Sequence, residues 1–234
     1  MGGGRHQLPR LRGGLRAVRV IAIDGPAGSG KSTVARAVAS RLGLAYLDTG
    51  AMYRAVTFAA IRRGIDPEDA ETVAELARQV DLRVGDEVVV DGVDATIEIR
   101  SPEVTRAVSA VAANPEVRWE LRTRQREWAY AHGGGVIEGR DIGTVVFPEA
   151  DTKVYLTADD RERAGRRSKE MLDLHYDEVA ADIARRDHVD STRTASPLAA
   201  AGDAVQIDTT RRDVQSIVSE VLDLASRAAG GVDG

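Results

Sequence analysis

The sequence predicts an α/β fold: an open, doubly wound, five-stranded parallel sheet with helices on both faces and a smaller unit inserted in its middle. Three observations carry this expectation. Short apolar runs alternate along the chain with segments of helical period, the pattern of βαβ units. The first of those runs, Val18–Asp24, is nearly continuous in β-branched residues, as a strand covered on both faces must be. One stretch, Asp81–Arg100, instead alternates and holds the turn pairs GD and DG, the mark of small antiparallel strands.

The elements follow in order. VRVIAID (Val18–Asp24) is the first core strand. A glycine-rich loop leads into a helix over Lys31–Leu42, with Val34, Val38 and Leu42 on one face and Gly43 as its stop. LAYLD (Leu44–Asp48) is the second strand. Helical period resumes over Ala51–Arg63, ended by Gly64, and over Pro67–Val80, where Asp66 is the expected N-cap and Pro67 the first helical residue. After the antiparallel patch, Ser101-Pro102 opens a helix with Val104, Ala107, Val108 and Val111 inward. Asn114-Pro115 opens another, carrying Val117, Leu121 and Trp128. GGVIEGRD (Gly134–Asp141) and TKVYLTA (Thr152–Ala158) are further core strands, and two charged helical stretches follow them. AVQID (Ala204–Asp208) is the last strand. Val214, Ile217, Val218, Val221 and Ala225 mark a closing amphipathic helix, with residues 229–234 expected to fray. The resulting division is a core of 18–80 and 134–228, an inserted unit of 81–133, lid helices within 159–187, and a disordered extension of 1–17.

Composition narrows the function. There is no cysteine, so disulfides and thiolate metal sites are excluded and a cytoplasmic setting is expected. No apolar run approaches the roughly 20 residues that span a bilayer. Net charge is -5, although the first 19 residues carry five arginines and no acid, so the remainder is more acidic still. An acidic domain poor in aromatic rings is a poor sleeve or stacking platform for a polynucleotide. Small-molecule substrates and a monomer are expected. Only three of the 32 basic residues are lysines, which makes the position of each one informative.

Gly25-Pro26-Ala27-Gly28-Ser29-Gly30-Lys31-Ser32 matches G-x-x-x-x-G-K-[ST] without a departure, between a strand and a helix as that motif requires. The chemistry explains each part. Successive backbone N–H groups curl round a β-phosphate where no Cβ blocks them, and the following helix adds its positive end. Lys31 supplies a mobile charge for the transferring phosphoryl group. Ser32, followed by Thr33, offers a hydroxyl to Mg²⁺, which prefers oxygen ligands. The motif implies ATP or GTP and leaves the reaction open. Guanine-binding switches carry an N-K-x-D or T-K-x-D motif, and none is present here.

A phosphoryl acceptor that is itself an anion demands several arginines from different segments. LDTGAMYRA (Leu47–Ala55), GRDIGTVVFPEA (Gly139–Ala150), ERAGRR (Glu162–Arg167) and RRDHVDSTRTASPL (Arg185–Leu198) resemble, in order, segments of bacterial cytidylate kinase, the CMP kinase. The resemblance runs over about residues 18–226. It implies the fold of the P-loop nucleoside monophosphate kinases and transfer of the ATP γ-phosphoryl group to CMP, and to dCMP. It further implies that Thr49, Tyr53 and Arg54 bind the acceptor, with Arg54 on its phosphate. Ser109 and Arg118 would read cytosine with Asp141, Arg140 would hold the acceptor phosphate, Arg186 and Asp190 would lie near the sugar, and Arg193 near the phosphates. Arg163, Arg166 and Arg167 would belong to a lid over the triphosphate.

From the residues alone, several of these have a plainer reading. Arg54 and Arg140 follow strand ends, where open α/β sheets bind ligands. Arg140 and Asp141 equally suit a structural ion pair. Arg163, Arg166 and Arg167 share a helical face of the kind usually solvated. Tyr53 suits a core ring, and Arg122 and Arg126 suit surface pairs on their helix. Within enzymes, the rival acceptor is UMP or another small molecule.

Overall fold

In the computed structural model of the chain, the residues described are 19–170, 176–193 and 196–230. The expected extension over 1–17 lies outside them. Five parallel strands form the main sheet: β1 (Arg19–Asp24), β2 (Tyr46–Asp48), β6 (Gly134–Gly139), β7 (Thr152–Thr157) and β8 (Val205–Asp208), in the order β2-β6-β1-β7-β8. A second, antiparallel sheet holds β3 (Leu82–Val84), β4 (Val88–Val90) and β5 (Val93–Asp94).

Residue alternation within β1 shows why the sheet needs cover on both sides. Val20 and Ala22 face one apolar layer, with α2 (Thr49–Arg62), α3 (Ala70–Gln79) and α5 (Pro115–His132). Ile21 and Ile23 face the other, with α1 (Lys31–Leu42) and α8 (Val214–Gly230). Val88 and Val90 of the small sheet belong to the first layer, alongside Leu47 and Ile137. A third, smaller cluster joins Ala164 of α6 (Asp160–Glu170) and Val179 and Ile183 of α7 (Tyr176–Thr192) to Ala27 of the glycine loop. The remaining helix, α4 (Pro102–Ala113), opens on Ser101, whose hydroxyl accepts from the Val104 amide at 3.3 Å.

Some boundaries differ from the sequence expectation for identifiable reasons. The helix expected over Pro67–Val80 is α3, Ala70–Gln79, and its N-cap is Asp69, which accepts from the Thr72 amide at 3.1 Å. Asp66 instead closes a turn on Glu68 and Asp69, so Pro67 precedes the helix. Helix α2 starts two residues early because Asp48 caps it through the Ala51 amide at 3.0 Å. Val214 is 37% exposed and stands outside the core face of α8, a helix that continues to Gly230. Residues 142–146 form a π-helical turn that no periodicity announces. Arg126 is not a surface partner: its guanidinium donates to the Val146 and Val145 carbonyls at 2.8 and 3.2 Å and ties that turn to α5.

Leu121 is fully buried where α5 meets the sheet. Leu121→Ala is expected to cost about 2–5 kcal/mol, read as a lowered urea midpoint with an unchanged slope.

Candidate active site

All five core strands point the same way, so their C-terminal ends share one edge. Strands β1 and β6 are neighbours with Asp24 opposite Gly139, so the glycine loop and the turn after β6 leave the sheet side by side. Such a place is where open α/β sheets hold ligands. A cleft of about 260 Å³ opens there.

Its floor is the glycine loop. Gly25 has φ +150, and a Cβ on it would stand 2.1 Å from the Leu156 carbonyl oxygen. Gly28, with φ +73, leaves no room either: its Cβ would lie 2.6 Å from the Arg163 carbonyl oxygen. The loop therefore approaches β7 and α6 more closely than any side chain allows. Helix α1 begins with Gly30 as N-cap, no capping side chain and no acid in its first turn, leaving its positive end facing the cleft. Lys31 is buried, with Nζ on the Pro26 carbonyl at 2.7 Å. Burial, and then Arg140, lower its pKa to about 7. Ser32 donates to Glu138 at 3.0 Å, and the Tyr46 hydroxyl also donates to Glu138. Burial and then Asp48 push the Glu138 carboxyl up.

The opposite wall carries arginines from four elements. Arg54 on α2 donates to the Ile99 carbonyl at 3.1 Å and the Thr105 hydroxyl at 2.9 Å. Burial, then Arg186, Arg167 and Arg100, lower its pKa to about 9. Arg140 donates to Asp190 at 2.9 Å and to the Gly25 carbonyl at 3.1 Å. Arg193 pairs with the other oxygen of Asp190 at 3.3 Å, and its Nη2 is buried without a partner among the described residues. Arg118 pairs with Asp141 at 2.5 Å and lies over the Tyr53 ring at 5.4 Å; its Nε is likewise buried and unpartnered among the described residues. Arg186 on α7 has its pKa lowered to about 10 by burial and then Arg140. Arg140 and Asp141 thus do not pair with each other. Each has its own partner on another segment.

The cleft brings together Ala27, Gly28, Gly30, Lys31, Ser32 and Thr33 with Thr49, Tyr53, Arg54, Ser109, Arg118, Arg140, Asp141, Arg186, Asp190, Arg193 and Arg167. Gly25, Pro26 and Ser29 are not walls of it; their carbonyls receive Arg140, Lys31 and Thr209. Arg163 and Arg166 are not walls either. Arg163 donates to the Ala27 carbonyl at 3.1 Å and pairs with Asp187, whose other oxygen accepts from the Ala27 amide at 3.3 Å. Arg166 donates to Thr209 at 2.9 and 2.8 Å, and Thr209 in turn binds the Ser29 carbonyl. In this arrangement both brace the glycine loop from behind.

Sequence reasoning missed Asp48, Glu138 and Arg100. Asp48 ends β2 and its partner Glu138 is the last but one residue of β6, so the strand-edge rule would have found them. Arg100 follows no strand and bridges to Asp48 at 3.5 Å from the 3₁₀ turn Glu98–Arg100. In all, eight basic side chains face four carboxylates in the cleft of a chain with net charge -5. The site is built for a polyanion at one end and a second anion at the other.

The family model described as cytidylate kinase matches residues 21–227. A cytidylate kinase of Mycobacterium leprae is 48% identical over 218 residues, covering 91% of this chain and 98% of that protein. One from Desulfitobacterium hafniense is 49% identical over 212 residues, covering 87% and 91%. Among solved structures, a gluconokinase from Sinorhizobium meliloti superposes with a TM-score of 0.51 at 14% identity, over 92% of this chain and 95% of that one, a likeness of fold alone.

Lys31 gives the site a proton signature. With its pKa near 7 the ligand-free amine is mostly neutral at pH 8, and a bound polyphosphate favours the ammonium. Lys31 is expected to contribute proton uptake to the binding of inorganic tripolyphosphate at pH 8, and less at pH 6. Calorimetry in buffers of different ionisation enthalpy reads this, and Lys31→Met should abolish it.

Proposed function

The chain belongs to the cytidylate kinase family, and from that premise we propose that it transfers the γ-phosphoryl group of ATP to CMP and dCMP, giving ADP and CDP or dCDP. The observation that carries the reading is one cleft with Lys31 and the open end of α1 at one side and Arg54, Arg140 and Arg193 at the other.

An acceptor phosphate oxygen forms the new bond to the γ-phosphorus while the bond to the β–γ bridging oxygen breaks and ADP departs. No general base is required, because a phosphate monoester is largely ionised at neutral pH. Catalysis then rests on alignment and on charge placed where it accumulates. Lys31 follows the moving phosphoryl group. Arg54 and Arg140 hold the acceptor phosphate, and Arg193, with its unpartnered Nη2, meets the phosphates between them. Arg186 and Asp190 take the sugar. Arg167 belongs to the lid side, and α6 and α7 close on the donor.

Asp141 and Arg118 read the base, with Ser109 beside them. Cytosine offers an amino donor where uracil offers a carbonyl acceptor, so an ionised Asp141 favours the first and repels the second. Arg118 donates to the ring oxygen and nitrogen, and its free Nε suits a further acceptor.

Among the described residues no group of three Asp, Glu, His or Cys side chains gathers as a metal cage. The oxygen donors near Lys31 instead suit a Mg²⁺ ion carried in by the triphosphate, held on the protein side by the Ser32 hydroxyl near Glu138 and Asp48. The metal would neutralise charge on the β- and γ-phosphate oxygens. No helix among the described residues is long and apolar enough to cross a membrane, and we place the reaction in the cytoplasm.

ADP release measured with a panel of acceptors is expected to rank CMP and dCMP far above UMP; preference for UMP would overturn the base-reading roles. Lys31→Ala should lose turnover with its circular dichroism unchanged. Asp141→Ala is expected to narrow the preference for CMP over UMP by roughly 10- to 100-fold.

A further inference from the structure

We infer that Asp24 is a positioning residue that locks the acceptor side of the cleft to the donor loop; the inference deepens the kinase reading and rests on it. Asp24 is the last residue of β1 and stands immediately before Gly25. It is 5% exposed, and its two carboxylate oxygens accept from two consecutive amides of the π-helical turn: Ile142 at 2.9 Å and Gly143 at 2.7 Å. No side chain caps that turn from its own N-terminal residue, Asp141, which is occupied with Arg118. In the reverse direction, Arg140 donates to the Gly25 carbonyl at 3.1 Å. The donor loop therefore holds the acceptor turn by a side chain, and the acceptor turn holds the donor loop by another.

The crossed brace acts on function because of what it spans. Arg140 and Asp141 lie between the strand end opposite Asp24 and the two amides that Asp24 holds. A shift of the turn moves the phosphate contact and the base contact together, relative to a glycine loop that starts one residue after the carboxylate. A misplacement of about 1 Å between reacting groups costs on the order of 100-fold in rate.

Residue choice agrees with this. The two amides reach two separate oxygens, and a carboxamide would set an NH2 donor against one of them. The sheet itself has no use for the charge, since its neighbours along β1 are Ile21, Ala22 and Ile23, all fully buried. Burial pushes the carboxyl up to about 6, the two amides and Lys31 opposing that and Asp141 adding to it. Tyr155 feels the same charge, and the Lys153 stem packs beside Gly143. At neutral pH the group remains ionised.

The experiment compares Asp24→Asn with the wild-type protein. Expected are a kcat with ATP and CMP lower by about 100-fold, ATP affinity within threefold, a melting midpoint within a few degrees, and faster hydrogen exchange at the Ile142 and Gly143 amides. A kcat within threefold of wild type would overturn the inference. So would parallel losses of kcat, ATP affinity and melting midpoint, the pattern of a general packing defect. The wild-type chain carries its own test if the variant does not fold: the Ile142 and Gly143 amide proton resonances should move together as the Asp24 carboxyl is protonated on lowering pH, and resonances that stay fixed over the whole range in which the fold persists sink the brace. If wild type phosphorylates no nucleoside monophosphate, the functional reading fails, while these amide measurements still decide the brace.

Discussion

Burial of basic side chains in the cleft, with repulsion among them as the smaller part, is the constraint on which the rest of the site depends. Burial and neighbouring guanidiniums lower Arg54 to about 9 and Arg186 to about 10, and burial with Arg140 lowers Lys31 to about 7. Shifts in that direction mean that the ligand-free protein carries charge at the expense of stability. The four carboxylates relieve part of it, distributed one to a place: Glu138 near Lys31, Asp48 near Arg100, Asp141 on Arg118, Asp190 between Arg140 and Arg193. What remains is discharged only when anions enter. Binding of two phosphorylated ligands is then favoured by relief of strain already present, and water is the weaker competitor for the same donors.

The sheet topology decides where this charge can gather. Because β6 lies between β2 and β1, the segments that follow three adjacent strands leave the same edge. The loop after β1 turns into α1, the segment after β2 becomes α2 with Arg54 one turn in, and the one after β6 presents Arg140 and Asp141. Helices α4 and α7 bring Ser109, Arg186 and Asp190 across from outside the sheet. Guanidinium groups far apart in sequence meet because parallel strands, unlike hairpins, align their ends.

Much of this was legible from residues alone. The glycine loop declared itself because phosphate chemistry admits few solutions, and Gly25 and Gly28 occupy conformations and spaces that other residues would not fit. The first strand showed because a strand covered on both faces is nearly continuously apolar, whereas β8 buries only Ile207 of its four residues. Glu138 and Asp48 escaped because a carboxylate at a strand end looks like any loop acid until its neighbours are known. Arg163 and Arg166 sit on one helical face with Arg167, and spacing cannot tell which of them turns to the cleft and which to the loop's back. Arg126 looked like a surface charge because its partners are carbonyls of a π-helical turn, and backbone acceptors leave no mark in sequence. The Asp24 brace was hidden for the same reason: both of its partners are amides.

The ion pairs of the cleft have a second consequence. A long arginine free to rotate loses considerable side-chain entropy when a ligand fixes it. Here Asp190 already holds Arg140 and Arg193 by separate oxygens, and Asp141 already holds Arg118. Their rotamers are chosen before any nucleotide arrives, with the buried Nε of Arg118 and Nη2 of Arg193 left without a partner among the described residues. The cost of ordering falls on folding rather than on binding. An acceptor therefore enters a preset array and need only replace or share carboxylate contacts whose geometry matches its own phosphate and base edges. The same acids that soften repulsion in the empty cleft thus act as placeholders for the substrate, so that charge balance and alignment come from one set of side chains.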